Sequence, residues 1–386
     1  MQQREAVMAH GPATIPAPSG IVVVHAPEEL GFTDAHEKVT RHRLARRLAA
    51  LKGYDFAGDH DPTRPYAGPV YVVPSDTITD IGTAEALGIR TEHDLFGGVV
   101  PYPFAATKVI THPLVEPDAA APAGWSHAFG QRTKDIVLEG FSVFTPADAR
   151  RAGARLLERG LVRLKRVRAA GGTGQAVATT LAELEEVLEA LDEAELVTHG
   201  LVLEEDLAEV TTLSIGEVRV AELVVSYYGT QRTTTDNSGA VVYGGSDLVV
   251  IRGGLDGLLR LDLPDPLRLA VAQAHTYDEA ATASFPNAIL SRRNYDVAQG
   301  LDARGRWRSG VLEQSWRIGG ASGAEIAALE AFRADPSLEV VRTATVEVYG
   351  ESAEFPSHAT LSFRGVDERV GLVTKYTLVE PHDHTR

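Results

Sequence analysis

Three groups of residues have side chains whose type and spacing suit phosphate and metal chemistry. The first is Lys165, near the end of the expected strand 162–167, followed by a glycine-rich stretch that holds Gly171, Gly172 and Gly174. Glycines let backbone N–H groups approach phosphate oxygens closely, and an ammonium beside them neutralises charge. The chain has no Gly-Lys-Ser/Thr, so this is not a Walker loop, and the glycine spacing is not that of a dinucleotide fingerprint. Taken alone, a plain turn beside a surface lysine accounts for it. The second group is the apolar run Leu201-Val202-Leu203, which leads into Glu204, Glu205 and Asp206. A strand leaving a sheet there can bond an adenine edge, and a following carboxylate can hold a ribose hydroxyl. An acidic strand end facing solvent is the alternative.

The third group is the most telling. Arg292-Arg293-Asn294-Tyr295-Asp296 leads through a turn-rich stretch to Val311-Leu312-Glu313-Gln314-Ser315-Trp316-Arg317. On two antiparallel strands, Asp296 and Glu313 meet, and hard carboxylate oxygens so placed suit Mg²⁺, whose shell phosphates and water complete. Arg317, four residues after Glu313, reaches the same phosphate. Glu313 follows two apolar residues, so its carboxylate is either buried with a partner or functional.

The elements that must position these groups read as alternating strands and helices. Strands are expected at 21–25 and 70–73, with helices at 36–51 and 81–87, a parallel α/β arrangement. The Pro-rich stretch 101–122 reads as a linker or lid-like region. Thr145 caps a helix with Pro146 at its first position, and Gly160 stops it. Thr180 and Glu183 form a capping box for a helix with Leu181, Leu184 and Leu188 on one face. Residues 211–250 alternate like antiparallel strands with turns at 236–239 and 244–245. A helix covers 267–281, and Ser322 with Glu325 forms a second capping box. Residues 340–379 read as a small antiparallel sheet of their own.

Composition excludes several classes. The 386 residues contain no cysteine, so no disulfide, thiolate nucleophile or Cys-ligated metal exists here. With 53 acidic against 37 basic side chains, the net charge of −16 argues against a nucleic-acid partner. No uncharged apolar run approaches membrane-spanning length. Residues 1–19 read as a leader without an apolar targeting segment, so a cytoplasmic protein is expected. His382 and His384 read as a solvated tail.

In order, a strand lysine with a glycine loop, a strand ending in Glu-Glu, then an Asp and a Glu-x-Ser-x-Arg strand resemble the ATP-grasp superfamily. Strings at 94–114 (DLFGGVVPYPFAATKVITHPL), 226–237 (SYYGTQRTTTDN), 242–248 (VYGGSDL), 292–300 (RRNYDVAQG) and 310–325 (GVLEQSWRIGGASGAE) resemble, more closely, an uncharacterised bacterial family of ATP-grasp-like proteins. That resemblance spans about residues 20–379 and carries no established substrate.

The resemblance implies an ATP-grasp fold of mixed α/β and α+β character. Its parts are an N-terminal α/β domain (20–130), a lid (131–207), a C-terminal domain with the metal strands (208–335) and an antiparallel extension (336–386). It implies an ATP- and Mg-dependent carboxylate–amine ligase acting on small molecules, an amino-acid carboxylate and an amine, through an acylphosphate. On matching positions Lys165 holds phosphates and 171–174 close over them. Glu204, Glu205 and Asp206 meet adenine and ribose, Asp296, Glu313 and Ser315 bind metal, and Arg317 stabilises the acylphosphate. Ser315 stands where the superfamily commonly has Asn. Of the upstream lysines, Lys134 is preferred over Lys108 for the phosphates. Arg232 and Asp236, in a turn, and the pair Arg292 and Arg293 are candidates for the acceptor carboxylate. A dipeptide-type amide, such as a γ-glutamyl bond, is the expected product. A phosphotransferase or ester-forming ligase, an inactive nucleotide-binding module, and a homodimer stay open.

Overall fold

The computed structural model describes residues 20–26, 35–168, 174–350 and 355–380. The leader, Gly171, Gly172, His382 and His384 lie outside these described residues. The chain begins with β1 (Ile21–His25), α1 (Ala35–Lys52), β2 (Asp55–Asp59), β3 (Val70–Pro74), α2 (Ile81–Ala86) and β4 (Gly98–Val99). The parallel sheet runs β2-β1-β3. Val22, Val23 and Val24 are all buried, as expected of a parallel strand covered on both faces. β2, with the sequence DFAGD, carries no run of β-branched residues, and its pairing with β1 is what makes it a strand.

The second unit is α3 (His127–Thr133), β5 (Gly140–Val143), α4 (Pro146–Leu157), β6 (Val162–Arg166), β7 (Gln175–Ala178), α5 (Leu181–Glu189), α6 (Glu193–His199) and β8 (Leu201–Glu205). Its four strands are antiparallel in the order β5-β8-β6-β7. Thr145 Oγ1 caps α4 by accepting from the Asp148 N–H at 3.1 Å. Thr180 caps α5 similarly, but the Glu183 carboxylate accepts from Thr179 N–H at 2.7 Å instead of closing the box on Thr180. Leu184 and Leu188 face the sheet, whereas Leu181 is exposed. Leu164, Leu201 and Leu203 line the helix-covered face of the sheet. Strand alternation therefore puts Lys165, Val202 and Glu204 on the other face.

The remainder is β9 (Ala208–Val220), β10 (Leu223–Thr235), β11 (Val241–Arg252), α7 (Leu255–Leu259), α8 (Asp265–Ser284), β12 (Ile289–Leu290), β13 (Arg292–Leu301), β14 (Trp307–Ser315), α9 (Ser322–Ala334), β15 (Val340–Tyr349), β16 (Thr360–Asp367) and β17 (Gly371–Val379). One sheet runs β14-β13-β9-β10-β11-β15-β17-β16. The strands within 340–379 thus extend the central sheet and do not form one of their own. Of the two expected turns, 236–239 is a hairpin turn, between β10 and β11. At 244–245 the chain stays in β11 as a bulge, with the register shifting at Arg232/Thr233. Gly245 has φ +131° there, and a Cβ on it would meet the Thr345 carbonyl oxygen at 2.0 Å.

The expected linker at 101–122 is no lid. Phe104, Ala105, Val109 and Ile110 are core residues. The Gln314 side-chain amide of β14 donates to the carbonyls of Ala105 (2.9 Å) and Thr107 (2.8 Å), fixing this segment along the edge of the sheet. The second capping box is absent as well. Ser322 Oγ accepts from the Gly319 N–H at 3.0 Å, and Glu325 turns into the core. No described helix is long and apolar enough to cross a membrane.

A buried charge cluster joins α1 to the end of the central sheet. Lys375 on β17 pairs with Glu37 (2.7 Å) and Glu347 (3.1 Å), and His36 lies 3.0 Å from both Glu37 and Asp367. Burial lowers the His36 pKa, but hydrogen bonding to Glu37 and Asp367 outweighs that and leaves it above its ordinary 6.5. A raised folded-state value stabilises the fold fully below 6.5, and the contribution disappears as pH rises through that raised value. Urea unfolding at a series of pH values should show stability falling across that window. In His36→Gln the step should vanish; an unchanged step would assign it to other groups.

Candidate functional site

Asp296 on β13 and Glu313 on β14 are direct cross-strand partners. Two carboxylates side by side disfavour each other's charge. Burial, and then the Glu313 charge, hold the Asp296 carboxyl above its ordinary pKa. Neighbouring donors offset part of this. Ser214 Oγ donates to Asp296 Oδ1 at 3.2 Å and itself accepts from Gln231 Nε2 at 3.0 Å. The Asn294 carboxamide lies 2.9 Å from Asp296 Oδ1. Lys108 Nζ sits 3.1 Å from Glu313. A pair of oxygen donors under mutual repulsion is a fit site for a hard dication, which would relieve the repulsion. Ser315 is the cross-strand partner of Asn294, and its hydroxyl lies 3.4 Å from the Arg292 guanidinium.

A second polar centre occupies the inner face of the four-stranded sheet. Lys165 pairs with Glu204 Oε1, and His112 Nε2 lies 3.1 Å from Glu204 Oε2. All three are buried. Burial raises the Glu204 pKa, but Lys165 and then His112 overcome it and bring the value to about 2. His112 packs on Gly140, where a Cβ would stand 2.8 Å from its ring. Residues 108–112 therefore touch both centres, Lys108 at Glu313 and His112 at Glu204. This juxtaposition had no periodic signal in the sequence, because the segment is a 3-10 turn followed by irregular chain.

Other expected nucleotide residues are occupied locally. Glu205 accepts from Arg308 (2.8 Å) and from the Glu139 N–H (3.0 Å), and Asp206 accepts from Arg163 (2.8 Å). Lys134 is exposed at the C-cap of α3, while buried Lys108 is the upstream lysine that contacts a site carboxylate. Gly174 has φ +66°, which a glycine accommodates without strain. A cleft of about 390 Å³ lined by Leu164, Gln175, Val187 and Leu201 opens between β7 and α5, on the sheet face opposite Lys165.

Arg292 and Arg293 do not converge on a common anion. Adjacent strand residues point to opposite faces. Arg292 pairs with buried Glu325 (2.8 Å) and donates to the carbonyls of Ser315 (3.0 Å) and Arg317 (2.6 Å). Arg293 pairs with Asp278 at 2.9 Å on the α8 side. Arg317 remains half-buried, 3.6 Å from Asp76. Arg232 pairs with Asp247 at 2.8 Å. Asp236 accepts from the N–H groups of Ser238 and Ala240, the bonds that build its turn.

No curated protein sequence matches the chain. Among solved structures, phosphoribosylamine–glycine ligase from Thermotoga maritima superposes with a TM-score of 0.51 at 13% identity, over 93% of this chain and 92% of that one. An N5-carboxyaminoimidazole synthase from Aspergillus clavatus, solved with ADP and 5-aminoimidazole ribonucleotide, gives 0.49 at 14% identity over 95% of each chain. Biotin carboxylase from Campylobacter jejuni gives 0.48 at 10% identity, over 94% of this chain and 87% of that one. The likeness to the Thermotoga ligase establishes the fold as ATP-grasp. The family described as "Protein of unknown function (DUF3182)" matches residues 23–377, and this chain belongs to it.

Proposed function

We propose that the protein is an ATP- and Mg²⁺-dependent carboxylate–amine ligase that joins amino acids, with a γ-glutamyl or other dipeptide-type amide as product. The observation that carries this reading is the cross-strand pair Asp296 and Glu313, with Lys108 beside it, in an ATP-grasp fold. Phosphoryl transfer asks little covalent chemistry of a protein and much positioning and charge neutralisation. Lys165 and Lys108, both buried, would neutralise phosphate oxygens. Asp296 and Glu313 would hold magnesium, which would supply further neutralisation of phosphate charge. The substrate carboxylate attacks the γ-phosphorus and ADP leaves. The amine then displaces phosphate from the acylphosphate, losing its proton as the amide forms. Arg317, tethered through its carbonyl by Arg292, would stabilise the charge that develops.

Purified protein should release ADP and phosphate with ATP, Mg²⁺ and pooled amino acids, and mass spectrometry should find a new amide. Lys165→Ala should lose both. ATP binding without turnover in any pool would refute the ligase, and a stable phosphorylated product would replace it with a phosphotransferase.

A further inference from the structure

The Lys165 ammonium has three N–H donors. Among the described residues its one ionic or hydrogen-bonding partner is Glu204, met at Oε1. The lysine is buried, so donors that find no protein acceptor are arranged for oxygens that arrive with a ligand. The other oxygen of its partner is taken. His112 Nε2 lies 3.1 Å from Glu204 Oε2. Burial pushes the Glu204 carboxyl up, but Lys165 and then His112 bring it to about 2, so it is ionised and only accepts. The proton of that contact therefore sits on His112, and Nε2 donates.

His112 makes no other polar contact through its side chain. Its Nδ1 is buried without a hydrogen-bond partner, and the ring lies against Gly140, where a Cβ would stand 2.8 Å from Nδ1 and from Cε1. A polar nitrogen buried in this way costs stability, and only the Nε2 contact offsets it. The backbone beside the ring is anchored on both sides. Thr111 Oγ1 donates to the Leu312 carbonyl at 3.1 Å, and the Pro113 carbonyl accepts from the Ser142 N–H at 2.9 Å. We propose that His112 is a positioning residue for Lys165. By holding Glu204 Oε2 it confines the ammonium to Oε1 and leaves the remaining N–H donors for the phosphate oxygens of a nucleotide. Without His112 the carboxylate is free to turn both oxygens onto the ammonium and compete with the phosphates. This assignment rests on the phosphate-binding reading of Lys165 above, and nucleotide binding, measured apart from turnover, separates the two.

Full-length protein is titrated calorimetrically with a non-hydrolysable ATP analogue and, separately, with adenosine, which has no phosphate for Lys165 to meet. His112→Leu should weaken the analogue by about tenfold, the equivalent of one hydrogen bond to a charged group. It should leave adenosine affinity unchanged. His112→Gln, whose Nε2 can donate to the same carboxylate oxygen, should return most of the lost affinity. His112→Asn, polar but too short to reach, should behave as His112→Leu does. The Gln and Asn pair carries the test even where the leucine variant does not fold. Equal loss for the analogue and adenosine would overturn the assignment, because a merely structural histidine acts on both. Analogue affinity at the wild-type level in His112→Leu, with a loss in Lys165→Ala, would also overturn it and leave the phosphate reading of Lys165 standing. Wild-type affinity in Lys165→Ala, or no analogue binding in the wild-type protein, would refute that reading and the role of His112 with it.

Discussion

Glu313→Gln should lower ATP turnover by about 10²–10³-fold, the scale seen when one preorganised electrostatic group is removed from a charge-developing site. The glutamine keeps the shape of the side chain and loses its charge, so the change isolates electrostatics from packing. Glu313 has a third of its side chain exposed and faces Asp296 as a like charge. Stability should therefore change little: the repulsion at Asp296 is relieved while the Lys108 contact weakens. Steady-state ADP release together with thermal unfolding separates the two effects. Turnover within a factor of ten of wild type would remove Glu313 from the machinery.

Arg292→Met should destabilise the protein by about 3–5 kcal/mol, the range for stripping the partner from a buried ion pair. Glu325 is fully buried and would keep only the Tyr227 hydroxyl. The same change removes the donors that hold the carbonyls of Ser315 and Arg317, so turnover should fall even in protein that remains folded. Arg292→Met combined with Glu325→Leu makes the contrast sharper. Removing both charges should return much of the stability, because an apolar pair of similar volume replaces a costly ion pair. It should not return turnover, because the chain after β14 stays untethered. Urea unfolding and initial rates on the three proteins test this, and a loss below 1 kcal/mol in the single variant would contradict it.

The buried pair Arg292 and Glu325 also shows where sequence reasoning reached its limit. An Arg-Arg pair reads as a ready site for an acceptor carboxylate, and Ser-x-x-Glu reads as a helix cap. Both readings used neighbours along the chain. In the fold the arginines diverge because strand side chains alternate, and Glu325 meets Arg292 across 33 residues of sequence. The lysine question turned on the same point. Lys134 and Lys108 are equivalent in one dimension, and only the pinning of the 3-10 segment by Gln314 brings Lys108 to Glu313. His112 was invisible for a related reason: a lone histidine in irregular chain has no period to betray its partner.

By itself the sequence determined the periodic parts. Short strand-like segments bounded by turns placed β1, β3, β6 and β8, and Thr145-Pro146 placed the start of α4, because these depend on local propensity and capping. It also placed Asp296 opposite Glu313, since two strands joined by a short turn bring equivalent positions together. Tertiary structure alone decided which charges are spent on one another. The residues within 340–379 join the central sheet, His36 reaches Asp367 across 331 residues, and Lys165 finds Glu204 and His112 in one buried centre. Ion pairing is set by distance through space and by the water excluded from around the pair, and neither quantity is written in the order of residues along a chain.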